Sequence, residues 1–221
     1  TVVNSSDELY ASPLCYYQRD QLLPHDTVNK AVYDKIFAAS KKPIFTSVNA
    51  KNHLVTLAEV FAMYLLTWSP TLWCLVDLNV HQVADKYRDI YQAELNVINN
   101  FVKGLPAVSR ALAHMPTYMI FDDHDITDDW NLTAAWEPTA YGHDLSRRII
   151  GNTLVGYLLC QGWGNAPEQI PSQLLTLAEQ AMTNLGGSEH QRLIDELLRF
   201  PHWHYQWDTQ PVLIVLDTRT H

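Results

Sequence analysis

An apolar run that breaks abruptly into charge constrains this chain more than any other feature. Tyr118-Met119-Ile120-Phe121 leads directly into Asp122-Asp123-His124-Asp125-Ile126-Thr127-Asp128-Asp129-Trp130-Asn131, which holds five aspartates and one histidine. The apolar half predicts a short strand. Carboxylates this close raise one another's pKa unless a cation or a hydrogen-bond donor compensates them, so the acidic half asks for a metal or for full exposure to water. Ligands of sheet-based α/β proteins gather at the carboxyl ends of strands, which is where this segment falls. Trp130 and the apolar run on its other side make a merely solvated turn the less natural reading.

Elsewhere the patterning is mostly helical. Asn52 to Trp68 has apolar residues on most sides and stops at Ser69-Pro70, which predicts a core helix. A second helix is expected from about Val83 to Val102, with Tyr87, Ile90, Tyr91, Leu95, Ile98 and Phe101 on one stripe and Lys103-Gly104 and Pro106 as its stop. Asp144 can cap a third helix, and Ser172 a fourth that closes at Gly186-Gly187. Ser188 with Gln191 reads as the capping box of a fifth, ended by Pro201. The continuous run Val212-Leu213-Ile214-Val215-Leu216 predicts a strand buried on both faces. Trp203 to Trp207 alternates, and so can pair with that run as a hairpin. A sheet of two or three strands is marginal on its own, so the sheet reads as incomplete.

Composition removes several function classes. Eight glycines in 221 residues is about half the usual ~7%. No dinucleotide fingerprint or P-loop can be written, and a nucleotide cradle is excluded. Fifteen basic against 24 acidic residues give a net charge of −9, and with no basic run longer than Lys41-Lys42 the expectation is no nucleic-acid partner. Cys15, Cys74 and Cys160 are odd in number and far apart, which fits a reducing compartment and weakly favours the cytoplasm. The most hydrophobic stretch, Val60 to Val76, is broken by Thr67, Ser69-Pro70 and Thr71, so no membrane partner is expected. The opening Thr1-Val2-Val3 and the closing Arg219-Thr220-His221 both look cut.

Among metal sites, a calcium loop counted from Asp123 needs Gly at position six and Glu at position twelve. The chain has Asp128 and Ala134 there. No H-E-x-x-H is present, and His202 and His204 lack an evident third ligand. Adjacent aspartates on one turn do not set two carboxyl groups on opposite sides of a sugar, as glycoside hydrolysis requires. Two further readings remain: a helical HD-type phosphohydrolase using His124-Asp125, and a non-catalytic helical interaction module whose acidic loop binds a cation or a basic partner.

The Tyr118–Asn131 segment closely resembles the D-D-H-[DE] block of PhoD-like phosphatases, the alkaline phosphatase D branch of the calcineurin-like metallophosphoesterases. Asn52-His53-Leu54 with Glu59, Ala62-Met63-Tyr64-Leu65, Trp68-Ser69-Pro70 and the closing Val215-Leu216-Asp217-Thr218-Arg219-Thr220 resemble the same bacterial subfamily in the same order, from about Tyr10 onward. The resemblance implies an α/β fold, predominantly helical in this piece: a helical insertion plus a few strands of an incomplete metallophosphatase β-sandwich core. Residues 1–221 would form one partial domain, with 1–110 mainly the insertion and 111–221 the strand and helix part bearing the D-D-H-D block and a C-terminal hairpin.

It also implies a two-metal phosphoester hydrolase using divalent or trivalent ions such as Fe, Ca, Mn or Zn. Asp123 would be a metal ligand and His124 the group that stabilises or protonates the transition state, while Asp122 and Asp125 would orient the ligand and the imidazole. Two cations about 3.5–4 Å apart would lower the pKa of a bound water and clamp the phosphoryl oxygens. The family's site also draws on an early Asp block, an upstream G-D-x-x-Y-type block and a downstream G-D-x-H block, and this chain has no Gly-Asp dipeptide. The economical reading is the central fragment of a longer enzyme, inactive by itself, because a metal site takes at least three protein ligands. His53 and Arg219 are lesser candidates, for substrate or for structure. His53 is expected in the first turn of the core helix, and Arg219 can meet a phosphate or pair with a carboxylate such as Asp217.

Overall fold

The computed structural model describes residues 6–19, 53, 56–78, 83–127, 130–131, 133–134, 136–142 and 144–220. These residues are mostly helical, with one small antiparallel sheet. The helices are α1 (Ser6–Ala11), α2 (Leu57–Trp68), α3 (Arg88–His114), α4 (Trp136–Tyr141), α5 (Asp144–Tyr157), α6 (Ser172–Thr183) and α7 (Ser188–Leu197); the strands are β1 (Tyr205–Trp207) and β2 (Leu213–Val215). The chain divides into two compact units, an N-terminal one to which the described residues among 1–43, 48–54 and 61–117 belong and a C-terminal one to which those among 44–47, 55–60 and 118–221 belong. Among the described residues no helix is long and apolar enough to cross a membrane.

In the N-terminal unit, α3 runs through Gly104 and Pro106 instead of stopping there. Both residues are exposed, so water can serve the Val102 carbonyl that proline leaves without a partner, and Leu105 between them is buried. The expected helix from Asn52 begins only at Leu57, and residues 56–60 at its start belong to the C-terminal unit. Its start is a capping box that the sequence reading passed over: Glu59 N–H donates to Thr56 Oγ1 (3.2 Å) and Thr56 N–H to the Glu59 carboxylate (3.1 Å). Leu57, Val60 and Tyr64 form the buried side and Leu65 is exposed, so α2 buries one face, not all of them. Asn52 and Leu54 lie outside the described residues.

The C-terminal unit is built on α5. Ile149, Ile150, Leu154 and Val155 are buried, and the helix continues through a π-wound turn, Leu158–Gly162, and a last turn, Trp163–Asn165. Gly151 allows α7 to approach, since a Cβ there would lie 2.3 Å from Ile194 Cγ2. Charged pairs line the same contact: Arg147 meets Asp195 at 2.6 Å, and Arg148 donates to the Gln191 side chain at 3.0 Å. Because α5 and Asp195 engage Gln191, the expected Ser188–Gln191 capping box does not form; the Ser188 hydroxyl bonds Glu189 instead, and Gly187 is the N-cap. Ser172 likewise is the first helical residue and not the cap, which is Pro171.

The expected hairpin is present, with Tyr205 opposite Val215 and Trp207 opposite Leu213. Its expected burial is not: Leu213, Ile214 and Leu216 are 41%, 62% and 63% exposed. Among the described residues only β1 pairs with β2 and neither face of β2 is covered, so it is not a central strand.

The predicted strand at 118–121 does not form either. The segment is held by side chains in place of a neighbouring strand. The Met119 carbonyl accepts from Asn165 Nδ2 (2.6 Å), Tyr157 Oη (3.2 Å) and Tyr205 Oη (3.2 Å), and Met119 N–H donates to Asn165 Oδ1 (3.4 Å). One amide side chain therefore serves both polar groups of a peptide, as a sheet ladder would.

Candidate active site

The acidic turn hangs between two buried anchors. Phe121 before it packs edge-on against Trp130, Tyr157 and Trp203, with ring centroids 5.2, 4.7 and 5.7 Å away. Ile126, Thr127 and Trp130 after it are buried as well. Aromatic burial of this size fixes both ends of the loop, and the charged residues between them are forced outward: Asp122, His124 and Asp125 are exposed.

Within the turn the carboxylates serve the backbone. Asp122 accepts from His124 N–H and Asp125 accepts from Asp122 N–H, both at 2.9 Å. The Asp123 carbonyl accepts from the N–H groups of Ile126 (3.0 Å) and Thr127 (2.7 Å). These are the side-chain and turn bonds that aspartate favours outside regular structure. Loss of water around the Asp125 carboxyl raises its pKa above the ordinary value; the Asp122 N–H bond pulls it down, the Asp122 charge pushes it up and His124 lowers it.

Asp123 differs from its neighbours. Its carboxylate meets the Arg219 guanidinium at 2.7 Å, and the two side chains are only 14% and 20% exposed. Arg219 is presented by a second turn, in which the Asp217 carboxylate accepts from the N–H groups of Arg219 (2.9 Å) and Thr220 (3.0 Å) and from the Thr220 hydroxyl. Asn131, at a positive φ of 55°, ties the two turns together by donating to the Arg219 carbonyl at 2.8 Å. That conformation is one asparagine tolerates. Tyr141 in α4 completes the frame, its hydroxyl accepting from Trp130 Nε1 (3.0 Å) and Asn131 Nδ2 (3.1 Å).

The structure thus brings Asp122, Asp123, His124, Asp125 and Arg219 together in the C-terminal unit. Arg219 pairs with Asp123, and Asp217 takes its backbone N–H. His53 belongs to the N-terminal unit; it precedes α2 and does not lie in its first turn, and its carbonyl accepts from Arg19 at 3.4 Å. Asp128 and Asp129 lie outside the described residues. His202 and His204 are exposed side by side with rings 5.9 Å apart. Sequence reasoning missed Asn165, Tyr141 and Tyr157, whose roles depend on contacts 8 to 46 residues distant.

Among the described residues no group of three or more His, Cys, Asp or Glu is placed to hold a metal ion. The Asp123 carboxylate of the turn already faces a guanidinium. These residues alone do not fit a two-metal centre, which takes at least three protein ligands per closed or catalytic site. Comparison with protein-family models, with curated proteins and with solved structures found no match for this chain.

Proposed function

We propose that the chain is the central part of a PhoD-like phosphoester hydrolase, a phosphatase or phosphodiesterase, supplying one block of a metal site whose other ligand blocks lie in other sequence. The observation that carries this reading is the convergence of the D-D-H-D turn and the Asp217–Thr220 turn on the Asp123–Arg219 pair. An exposed imidazole and a guanidinium in one place are groups suited to a phosphoryl oxygen, and the carboxylate beside them is of the type that binds a metal ion. Asp123 is the proposed ligand, held ready by Arg219. His124 is the proposed proton donor, with Asp122 and Asp125 fixing the turn that carries both. The uncovered strand β2 supports the same reading, since an incomplete β-sandwich core leaves such a strand in want of neighbours.

The HD-type alternative requires its His-Asp pair on a helix, and His124-Asp125 lie in a turn. The interaction-module reading keeps one supporting observation: the turn is internally satisfied, as a recognition loop can be.

Metal analysis of the 221-residue chain together with phosphomonoester and phosphodiester assays tests the proposal. We expect no tightly bound metal pair and no turnover. Two tightly bound ions with turnover would remove the fragment reading. A longer gene product lacking both an upstream Asp block and a downstream G-D-x-H block would favour the interaction module.

A further inference from the structure

The α6–α7 hairpin holds a cavity of about 460 Å³ that shares no residue with the acidic turn. That volume is typical of small-molecule sites. Its floor is apolar: Leu174, Leu177 and Phe200 line it and are each less than a tenth exposed. Its rim is charged. Arg192 and Glu196, four residues apart on α7, share a side of that helix, and Arg199 just past its end lines the same cavity. Among the described residues neither guanidinium closes a salt bridge.

The start of α6 opens into the same cavity through Pro171, Ser172 and Gln173. It has no side-chain cap, and the Ser172 hydroxyl is turned to the Gln173 side chain (3.3 Å). The positive end of a 12-residue helix is therefore added to the two arginines. The lining side chains, two arginines and Glu196, sum to a single positive charge in a chain whose net charge is −9, with Glu189 acting on Arg192 from outside the lining. A monoanion matches that rim better than a dianion does, and an alkyl chain matches the floor.

We propose that this groove binds a small amphipathic carboxylate, its head between Arg192, Arg199 and the start of α6, its chain along Leu174, Leu177 and Phe200. The carboxylate would take the planar guanidinium fork, and the apolar floor would supply the rest of the affinity by taking the alkyl chain out of water.

Titration calorimetry of the 221-residue chain with octanoate, 1-octanol, acetate and inorganic phosphate tests this. We expect saturable one-to-one binding of octanoate, with octanol and acetate each at least ~10-fold weaker because one lacks the charge and the other the chain. The double variant Arg192→Gln/Arg199→Gln should weaken octanoate by at least ~10-fold with an unchanged thermal midpoint, since both side chains are exposed. Absence of saturable octanoate binding overturns the proposal, as does equal binding of octanol or acetate, phosphate as tight as octanoate, or undiminished affinity in a folded double variant. The four ligands on the unaltered chain decide the outcome even where the double variant fails to fold.

Discussion

Segment 118–121 and strand β2 are both extended and both apolar, yet they live in opposite surroundings. The first ends in Phe121, 3% exposed beneath three aromatic rings, and among the described residues no strand pairs with it. The second has a strand beside it and no cover, with Ile214 62% exposed. A hydrogen-bonded neighbour and a buried face are separate requirements, and this chain meets them at different places. Where side chains such as Asn165 satisfy the backbone, the segment can lead straight into an acidic turn with both turn ends anchored. Where only a backbone ladder is present, apolar side chains remain in water.

Substitutions can break that comparison, and the largest effect is expected at the anchor. Phe121→Ala should cost about 3–5 kcal/mol, the usual loss for a buried aromatic, seen as a lower urea midpoint; a loss under about 1 kcal/mol would mean that the aromatic cluster does not hold the turn. Asn165→Leu, similar in size but unable to serve Met119, should cost about 1–3 kcal/mol through the unmet Met119 N–H, the carbonyl keeping Tyr157 and Tyr205. Thr56→Ala, removing half of the capping box at α2, should cost about 1 kcal/mol. Ile214→Thr on the open strand should stay within about 0.5 kcal/mol by the same urea melt; a loss approaching that of Phe121→Ala would show that β2 is covered and the contrast wrong.

The buried side of the comparison also contains a titrating group. His190 accepts through Nδ1 from Gly186 N–H (3.1 Å) and faces Arg148 Nη1 at 3.0 Å. Arg148 can only donate, so the ring proton sits on Nε2, which has no hydrogen-bond partner. Burial first, and the Arg148 charge second, lower the His190 pKa to about 4. A folded-state value below the unfolded value of about 6.5 means that the unfolded chain binds the extra proton. The stability from neutral His190 is whole above pH ~6.5 and is lost as pH falls toward 4. The thermal midpoint should drop across that window, and less so in His190→Gln; an equal drop in the variant would assign the effect elsewhere.

Much of the architecture is legible in the residues, because periodicity and breakers act locally. The helices bearing Leu95, Ile149 and Leu193 form where periodicity places them, though the first runs on past its expected stop to His114, and the hairpin pairs across Asp208–Pro211 as alternation suggests. What fails to read out depends on distant partners. The strand expected at 118–121 is replaced by bonds to residues 157, 165 and 205, and the expected caps at Ser172 and Ser188 give way to local side-chain bonds. The acidic turn is evident from composition alone. That Asp123 is matched by Arg219, 96 residues later, is a fact of packing, and it alters the electrostatic problem from unpaired carboxylates to one compensated pair.

The proposal that this turn belongs to a phosphoester-hydrolysing site is tested by kcat/KM for a phosphoester in a protein that joins this chain to the other proposed ligand blocks. The account predicts that Asp123→Ala and His124→Ala each lower it by at least ~10², with the fold retained. Near-normal turnover in either variant would contradict it.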